Sequence, residues 1–504
     1  MINIGSRREL FTDDYLIDTG RTGVPQVQCR PIRREKAFTF DAHWESLDSV
    51  FHSIVELPGG GYRMYYKAAY NGWKPDGAFA MIRRICFIES GDGIHWTRPR
   101  LAITPLDGIA EVNNVISGLY DYYDALYVFC DTNPDCPEDE RFKGVYGGWG
   151  DGLYLYKSAD GVHFRFYPDK EEDIVRPKST FGEFYPIGDK RRPTPLLMST
   201  LESHCYFDTL NTIRWDPNKK KYVALVRGFH VGDEQFPRDP DVPDAVRDIR
   251  YSESEDLVHW SFPVQVKYND GDDYQLYTNA AVTYYRAPHM MLATPTRYTA
   301  RAEWNDSFGK LCGGVTRGPF GRNQSMTDAI FMSSRDGGQS WYRTGEAFFR
   351  PGPEHGGNWV YGDAYPCVGM IETPGELPGS DPVISMYCKE WHKDEPTSLY
   401  RYEIRVDGFT CRRAAYHPQM LVTKPFIYDG KELEINFSTS AAGYIKFTLR
   451  CEDGREIHSS QVFGDKIDRI VGFDDGSPAD FAGKPVTMIC EMSDADFYSF
   501  KFNK

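Results

Sequence analysis

The chain is poor in helix-forming runs of Ala, Leu, Glu and Lys, and it has no run of about 18 apolar residues, so no transmembrane helix is implied. Met1 to Leu10 carries no apolar stretch of signal-peptide length, which sets the expectation of a cytoplasmic protein. The eleven cysteines are scattered without a Cys-x-x-Cys pair. An odd number of cysteines without a secretion signal favours a reducing compartment, where buried thiols act as small hydrophobes. The twelve histidines form neither a His-Glu-x-x-His motif nor a regular ligand cluster, so no metal and no other cofactor is expected. A structural Ca²⁺ in a central channel has no ligand pattern behind it. Gly147-Gly148-Trp149-Gly150 does not lead from a strand into a helix, which removes it as a phosphate cradle. Positive charge is also in deficit. With 58 Lys and Arg against 73 Asp and Glu, the net charge is −15, which argues against nucleic acid or an anionic membrane as the main partner.

Aromatic residues are abundant at 15%, with 33 Tyr and 31 Phe, a composition that fits many short strands. A chain of 504 residues exceeds what one small domain needs, so two domains are expected. The organising pattern is Ser334-Arg335-Asp336-Gly337-Gly338-Gln339-Ser340-Trp341. Three shorter relatives precede it: Ser90-Gly91-Asp92-Gly93-Ile94-His95-Trp96, Ser158-Ala159-Asp160-Gly161-Val162-His163-Phe164 and Ser254-Glu255-Asp256-Leu257-Val258-His259-Trp260. In each, the Asp can bond backbone N–H groups across a tight turn, and the aromatic plugs the core at the start of the next strand. The copies begin at 90, 158, 254 and 334, and such unequal spacing reads as one supersecondary unit repeated with loop insertions. Asp92, Asp160, Asp256 and Asp336 are therefore structural staples.

Alternating runs between the staples assemble into five meanders. The first holds Val50 to Val55, Tyr62 to Lys67 and Arg84 to Glu89. The second holds Asn113 to Ile116, Ala125 to Cys130 and Gly152 to Lys157. The third holds Asn211 to Trp215, Tyr222 to Arg227 and Ile249 to Ser252. The fourth holds Asn279 to Tyr285, Met290 to Ala293 and Ala329 to Met332. The fifth holds Ala364 to Met370, Val383 to Tyr387 and Leu399 to Ile404, and ends at Asp407-Gly408-Phe409 without a full staple. The expected fold is all-β: a five-bladed β-propeller over residues 1–415, then a C-terminal β-sandwich over 416–504, where alternating strands occur without staples. Residues 1–40 form an opening segment whose Leu10 to Ile17 is read as a ring-closing strand or a clasp across the propeller face.

Staples of the Ser-x-Asp-Leu-x-His-Trp and Ser-x-Asp-Gly-x-x-Trp kind in a five-bladed pattern, followed by a sandwich, resemble glycoside hydrolase families 32, 43 and 68 across the whole chain. Ser334 to Trp341 also looks like the Asp-box of sialidases, whose propellers have six blades. Ser6 to Ile17, Ala482-Gly483-Lys484-Pro485 and Asp494 to Phe500 resemble a group of bacterial family-32-like proteins. The Asn-Asp-Pro-Asn-Gly nucleophile motif of family 32 is missing, and Arg238-Asp239-Pro240 sits in an insertion, so no catalytic residue is carried over by motif. The resemblance implies a propeller fold and a carbohydrate substrate, with a furanoside as one candidate.

In a propeller the first strand of each blade lines the central channel, and polar residues at its start point into the funnel. Glycoside hydrolysis requires two carboxyl groups, roughly 6.5–9.5 Å apart in inverting enzymes and about 5–5.5 Å apart in retaining ones. The candidate catalytic carboxylates are Glu45 or Asp48, paired with Asp208, and Glu390 after an apolar strand. The candidate substrate contacts are Trp44, Asn114, Asp131, Arg141, Asn211, Tyr277, Asn279, Arg297 and Asp363, with Trp73, Trp359 and Trp391 as further stacking walls. The expected function is a glycoside hydrolase with paired carboxylates in the axial pocket; the alternatives are a glycoside phosphorylase using Arg141, Arg227, Arg297 and His230 for phosphate, and a carbohydrate-binding propeller without turnover. The sandwich can pack in cis or serve a homo-oligomer interface.

Overall fold

The computed structural model describes residues 1–45, 49–73, 79–106, 109–117, 125–147, 152–167, 197–198, 205, 207–231, 245–300, 325–354, 358–390 and 396–504. Among these residues the chain is all-β, with helical character confined to the short 3-10 turns Glu138–Glu140 and Pro478–Phe481.

Sheets follow one another along the chain in a propeller-like arrangement. The first is Val50–Glu56, Tyr62–Trp73 and Phe79–Ser90, antiparallel throughout. The second contains Ala125–Cys130, Phe142–Gly147, Gly152–Ser158 and Arg165–Tyr167, and the third Thr212–Asp216, Lys221–Val231, Ala245–Ser254 and Val264–Gln265. The fourth is built on Met291–Ala293, Ser325–Ser334 and Ser340–Phe349, and the fifth on Tyr365–Pro366, Val383–Glu390 and Ser398–Arg405. Neighbouring sheets meet near their first strands. Ser53 of the first forms a parallel bridge with Val368 beside the fifth, and its Oγ accepts the Val128 N–H of the second at 3.3 Å. One buried cluster draws Phe51, Tyr127, Ala224, Tyr298 and Tyr365 from all five sheets.

The staples behave as local chemistry requires. In the first, Asp92 Oδ1 accepts the backbone N–H groups of Ile94 and His95 at 2.8 and 2.9 Å, and Ser90 Oγ accepts that of Gly93 at 2.8 Å. Trp96 Nε1 then donates to Gly93 O at 3.2 Å. The second and third copies repeat the Asp and Ser bonds. The positive φ required at the turn is met by Gly93 at 75° and Gly161 at 69°, whereas Leu257 adopts 67° in the third copy. These bonds to the ionised form outweigh burial and hold the carboxyls below the ordinary range, Asp256 at about 2.

Two placements correct the sequence reading. Asn113 to Ile116 is not the first strand of the second sheet. It runs antiparallel to the outer strand of the first, with Cys86 opposite Val115 and Ile116 N–H donating to Ile85 O at 3.0 Å. The strand that closes onto the fifth sheet is Ile32–Thr39, antiparallel to Ser398–Arg405. Leu10 to Ile17 instead joins the last sheet: Glu9–Leu10 pairs with Phe500 and Ser499, and Ile17 bridges to Thr423.

That last sheet has ten strands and is dominated by Glu432–Cys451 and Val486–Asn503, which pair with each other along most of their length. Its core, including Phe11, Ile17, Phe437, Phe447, Phe497 and Phe500, mixes both ends of the chain. Asp407 locks it to the fourth and fifth sheets. It is fully buried with φ at 61°, accepts Tyr284 OH at 2.6 Å and Ser499 Oγ at 2.6 Å, and lies 3.4 Å from Arg8 Nη1 and 3.2 Å from Arg286 Nε. The fourth staple adds a second lock, since Arg335 Nη1 and Nε reach Glu9 and Asp13 at 2.6 Å each.

Candidate active site

The strand Lys221–Val231 carries Arg227 at the end of an apolar stretch, and a cation there is forced inward with its neighbours. Arg227 is buried, its Nη1 lies 3.1 Å from Asp208 Oδ1, and its guanidinium covers the Tyr277 ring at 4.6 Å. Asn211 sets this geometry. Its amide donates to Phe207 O at 3.0 Å and Thr209 O at 2.8 Å, bracketing Asp208, while its Oδ1 accepts the Arg227 N–H at 3.0 Å.

From Tyr277 an aromatic column crosses the sheets. Tyr277 stacks on Tyr365 with centroids 5.8 Å apart, and Tyr365 stacks on Phe51 at 6.3 Å. Tyr361 OH donates to Tyr277 OH at 2.8 Å, and its ring meets Tyr277 and Tyr298 edge-on at 5.8 Å each. Arg247 lies over Tyr298 at 4.3 Å and is fixed by Gln275 Oε1, which accepts its Nη1 at 2.6 Å. Lys67 and Lys389 approach the Phe51 and Tyr365 rings at 5.1 and 5.9 Å. Burial, then the Tyr361 phenol and Asp208, push the Tyr277 hydroxyl well above its ordinary pKa, and burial does the same to Tyr361 and Tyr365. Burial, followed by the charge of Lys389, lowers the nearby His52 to about 3, so it is neutral at pH 7.

Backbone strain collects in the same place. Phe51, Ala280, Trp359 and Ala364 adopt positive φ of 63°, 44°, 63° and 51° without being glycine. Each such residue costs on the order of 1–3 kcal/mol, and strain of this kind gathers at functional sites. Asp363 sits in this loop between Tyr361 and Tyr365, buried, with Oδ2 accepting the Trp359 N–H at 3.1 Å.

The other residues singled out from sequence divide into groups. Trp44, Glu45 and Asn114 do meet, around Tyr66: Trp44 Nε1 donates to Asn114 Oδ1 at 2.9 Å, and Asn114 Nδ2 donates to Tyr66 OH at 2.8 Å. The Glu45 carboxylate there accepts Tyr66 OH, the Ala42 N–H at 3.0 Å and Arg98 at 3.1 and 2.8 Å. Glu390 is clamped by Arg33 through bonds of 2.7 and 2.8 Å and accepts Tyr402 OH at 2.8 Å, so it faces the closing strand. Asp131 accepts Tyr222 OH at 2.9 Å and the Asn133 N–H at 3.0 Å. Arg141 braces its own loop through Asp131 O at 3.0 Å and Cys136 O at 3.1 Å. Arg297 is bound to Asp328 at 2.9 and 2.6 Å, and Asn279 joins Thr212 Oγ1 at 2.9 Å to Leu225 O at 3.0 Å. Trp359 Nε1 donates to Gly352 O at 3.0 Å. Asp48, the Trp73 side chain and Trp391 lie outside the described residues.

Sequence reasoning passed over Phe51, Arg247, Gln275, Tyr298 and Tyr361. The available signal was a charge set among apolar residues, as Arg227 is in Ala224-Leu225-Val226-Arg227-Gly228-Phe229.

No protein-family model matches the chain, and no curated protein matches it. Among solved structures, it is similar to an N-acetylgalactosamine deacetylase from F. plautii in complex with blood group B trisaccharide, at 14% identity over 76% of this chain and 96% of that one, with a TM-score of 0.44. It is also similar to a structure from the GH130 family of mannoside phosphorylases, described as containing glycoside hydrolases that target β-1,2 mannosidic linkages in Candida mannan; there the identity is 15%, the coverage 77% and 96%, and the TM-score 0.39. The GH32 β-fructofuranosidase of Bombyx mori aligns at 10% identity over 92% of this chain and 94% of that one, with a TM-score of 0.37. Residue roles follow from the geometry of this chain.

Proposed function

We propose that the chain is a carbohydrate-active enzyme that hydrolyses a glycosidic bond at the axis of a five-bladed propeller, with the ten-stranded sheet as a sandwich built from both ends of the chain. The observation that carries this reading is the Asp208–Arg227 pair, 3.1 Å apart, set against the Phe51–Tyr365–Tyr277 column. Aromatic faces suit the apolar faces of sugar rings, and a carboxylate beside a buried guanidinium stays ionised. Asp208 is thus the base or nucleophile, and Asp363, buried between Tyr361 and Tyr365, is the acid of this reading. Glu45 and Glu390 are left as structural carboxylates, each occupied by an arginine.

Phosphorolysis is the second reading, favoured by the two guanidinium groups of Arg227 and Arg247, both within 6 Å of the Tyr277 ring at 4.6 and 5.6 Å. A panel of aryl furanosides and pyranosides, assayed with and without phosphate, separates the two. Asp208→Asn is expected to lower kcat by about 10³-fold in protein that is still folded, with a lower melting temperature because the buried Arg227 loses its counter-charge. An Asp208→Asn variant with wild-type turnover removes Asp208 from the mechanism, and strictly phosphate-dependent cleavage replaces hydrolysis by phosphorolysis.

A further inference from the structure

His230, three residues beyond Arg227 on the same strand, is held between two carboxylates. Its Nδ1 lies 2.9 Å from Asp248 Oδ2 and its Nε2 lies 2.8 Å from Asp273 Oδ1. An ionised carboxylate only accepts, so both contacts are hydrogen bonds only when both ring nitrogens carry protons. A third group makes the alternative state specific. Gln265 Nε2 sits 3.3 Å from the same Nδ1. A neutral ring that keeps its proton on Nε2 still donates to Asp273, accepts from Gln265 at Nδ1, and gives up Asp248. Asp248 remains bound without it, since Arg250 donates to its two oxygens at 3.0 and 2.8 Å.

We propose that His230 is a protonation-controlled positioning residue: charged, it ties Asp248 to Asp273 and holds Arg247 against the channel tyrosines, and neutral, it releases Asp248. The role in catalysis rests on reading that channel as the active site. The leverage is short on both sides. Asp248 adjoins Arg247 in the strand Ala245–Ser254, and Asp273 is two residues before Gln275, the acceptor that fixes Arg247 Nη1 at 2.6 Å. Gly228 leaves room for the latch, because a Cβ there would lie 2.5 Å from Asp248 Oδ1 and 2.6 Å from Arg250 Nε.

Among the described residues, the groups facing the ring are Asp248 from its partner strand, Asp273 from the following loop and Gln265 from the next strand. Behind them Arg343 binds Asp270 through contacts of 2.9 and 2.7 Å, and Tyr274 OH donates to Asp272 at 2.7 Å. Together with Tyr268 and Gly271 they line a cavity of about 310 Å³ beside the ring, whose side chain is 20% exposed. Burial disfavours the imidazolium, but Asp248 and Asp273 outweigh it and raise the pKa above its ordinary value.

The test is a pH titration of the ring-labelled full-length chain by NMR, with the His230 signals assigned through His230→Gln. The midpoint is expected above about 6.5. Asp273→Asn should lower it by about one unit, a tenfold change in proton affinity, because it removes a charge partner. Gln265→Ala should raise it, because it removes the partner of the neutral ring. In the wild type, the Tyr298 and Tyr277 ring signals should follow the His230 midpoint. A midpoint at or below about 6.5, or shifts of one sign in both variants, overturns the latch. Tyrosine signals that ignore the midpoint overturn the positioning role. These readouts need no turnover, so a chain that cleaves no glycoside yet shows them refutes the proposed reaction and leaves the latch standing. Where glycoside is cleaved, the alkaline limb of kcat/KM is expected to move with Asp273→Asn as the His230 midpoint does.

Discussion

Glu9→Gln isolates one charge at the junction between the N-terminal segment and the fourth sheet. Glu9 is 1% exposed, receives Arg335 Nη1 and Arg7 Nε at 2.6 Å each, and lies 3.3 Å from His289. Burial alone would raise its pKa, yet the His289 contact and the charges of Arg335, His289 and Arg7 bring it from 4.5 down to about 2. A difference of this size between unfolded and folded states corresponds to about 3 kcal/mol of stability at pH 7. The sign follows from a depressed carboxyl: the contribution is complete above the unfolded value of 4.5 and fades as pH falls toward 2. At pH 3 about 1 kcal/mol of it remains. Glutamine keeps the volume and loses the charge, leaving Arg335 buried with Asp13 as its remaining carboxylate. The readout is hydrogen exchange at the Phe11 amide, which donates to Tyr498 O at 3.3 Å and reports local opening of this junction. Exchange through that opening should accelerate by roughly two orders of magnitude in Glu9→Gln at pH 7, and by about tenfold at pH 3 after correction for intrinsic rates. An acceleration below about fivefold at pH 7, or a ratio that does not change with pH, refutes the linkage.

Asp407→Asn should lower stability by about 3 kcal/mol, because Arg8 and Arg286 lose their shared buried counter-charge; the urea midpoint checks this, and a shift no larger than that of a surface variant contradicts it. Asp336→Ala removes the acceptor of the Gln339 and Ser340 N–H groups, both at 3.0 Å, and should destabilise by about 1–2 kcal/mol. Its melting temperature should fall while the proposed sugar cleavage persists, and lost cleavage in a folded Asp336→Ala variant would mean that the staple does more than hold a turn.

The staples were legible because every bond they make is short-range. Asp92 reaches residues two and three positions ahead, so the residue types and their spacing contain the structure. The closing strand Ile32–Thr39 was not legible for the opposite reason. It reads Ile-Arg-Arg-Glu-Lys-Ala-Phe-Thr, without the alternation of a strand with one buried face. Its place is set by partners at the far end of the chain: Arg33 by Glu390, Arg34 by Glu403, and Glu35 by Arg401. The same pairing explains Glu390, which in isolation reads as a carboxylate following an apolar strand and whose partner lies 357 residues away.

The site shows the same division between local and distant information. Asp208, Asn211 and Tyr277 could be picked out because they lie just ahead of strands that a repeat can count. Arg247 and Tyr298 could not, since their meaning lies in a cation over a ring 4.3 Å away that joins the third sheet to the fourth. The counting also misled at Asn114. That residue caps Phe87 O at 2.8 Å across the first sheet, and Asn279 does the same to Leu225 O of the third at 3.0 Å. Both stand where a chain leaves one sheet for the next, and both use an amide that donates to a middle or outer strand behind it. An asparagine at that position is therefore a marker of the crossing between sheets. Funnel-facing chemistry is better sought where charge is buried against aromatic rings and the backbone is held at positive φ, conditions that coincide at Phe51, Tyr277, Arg227 and Ala364.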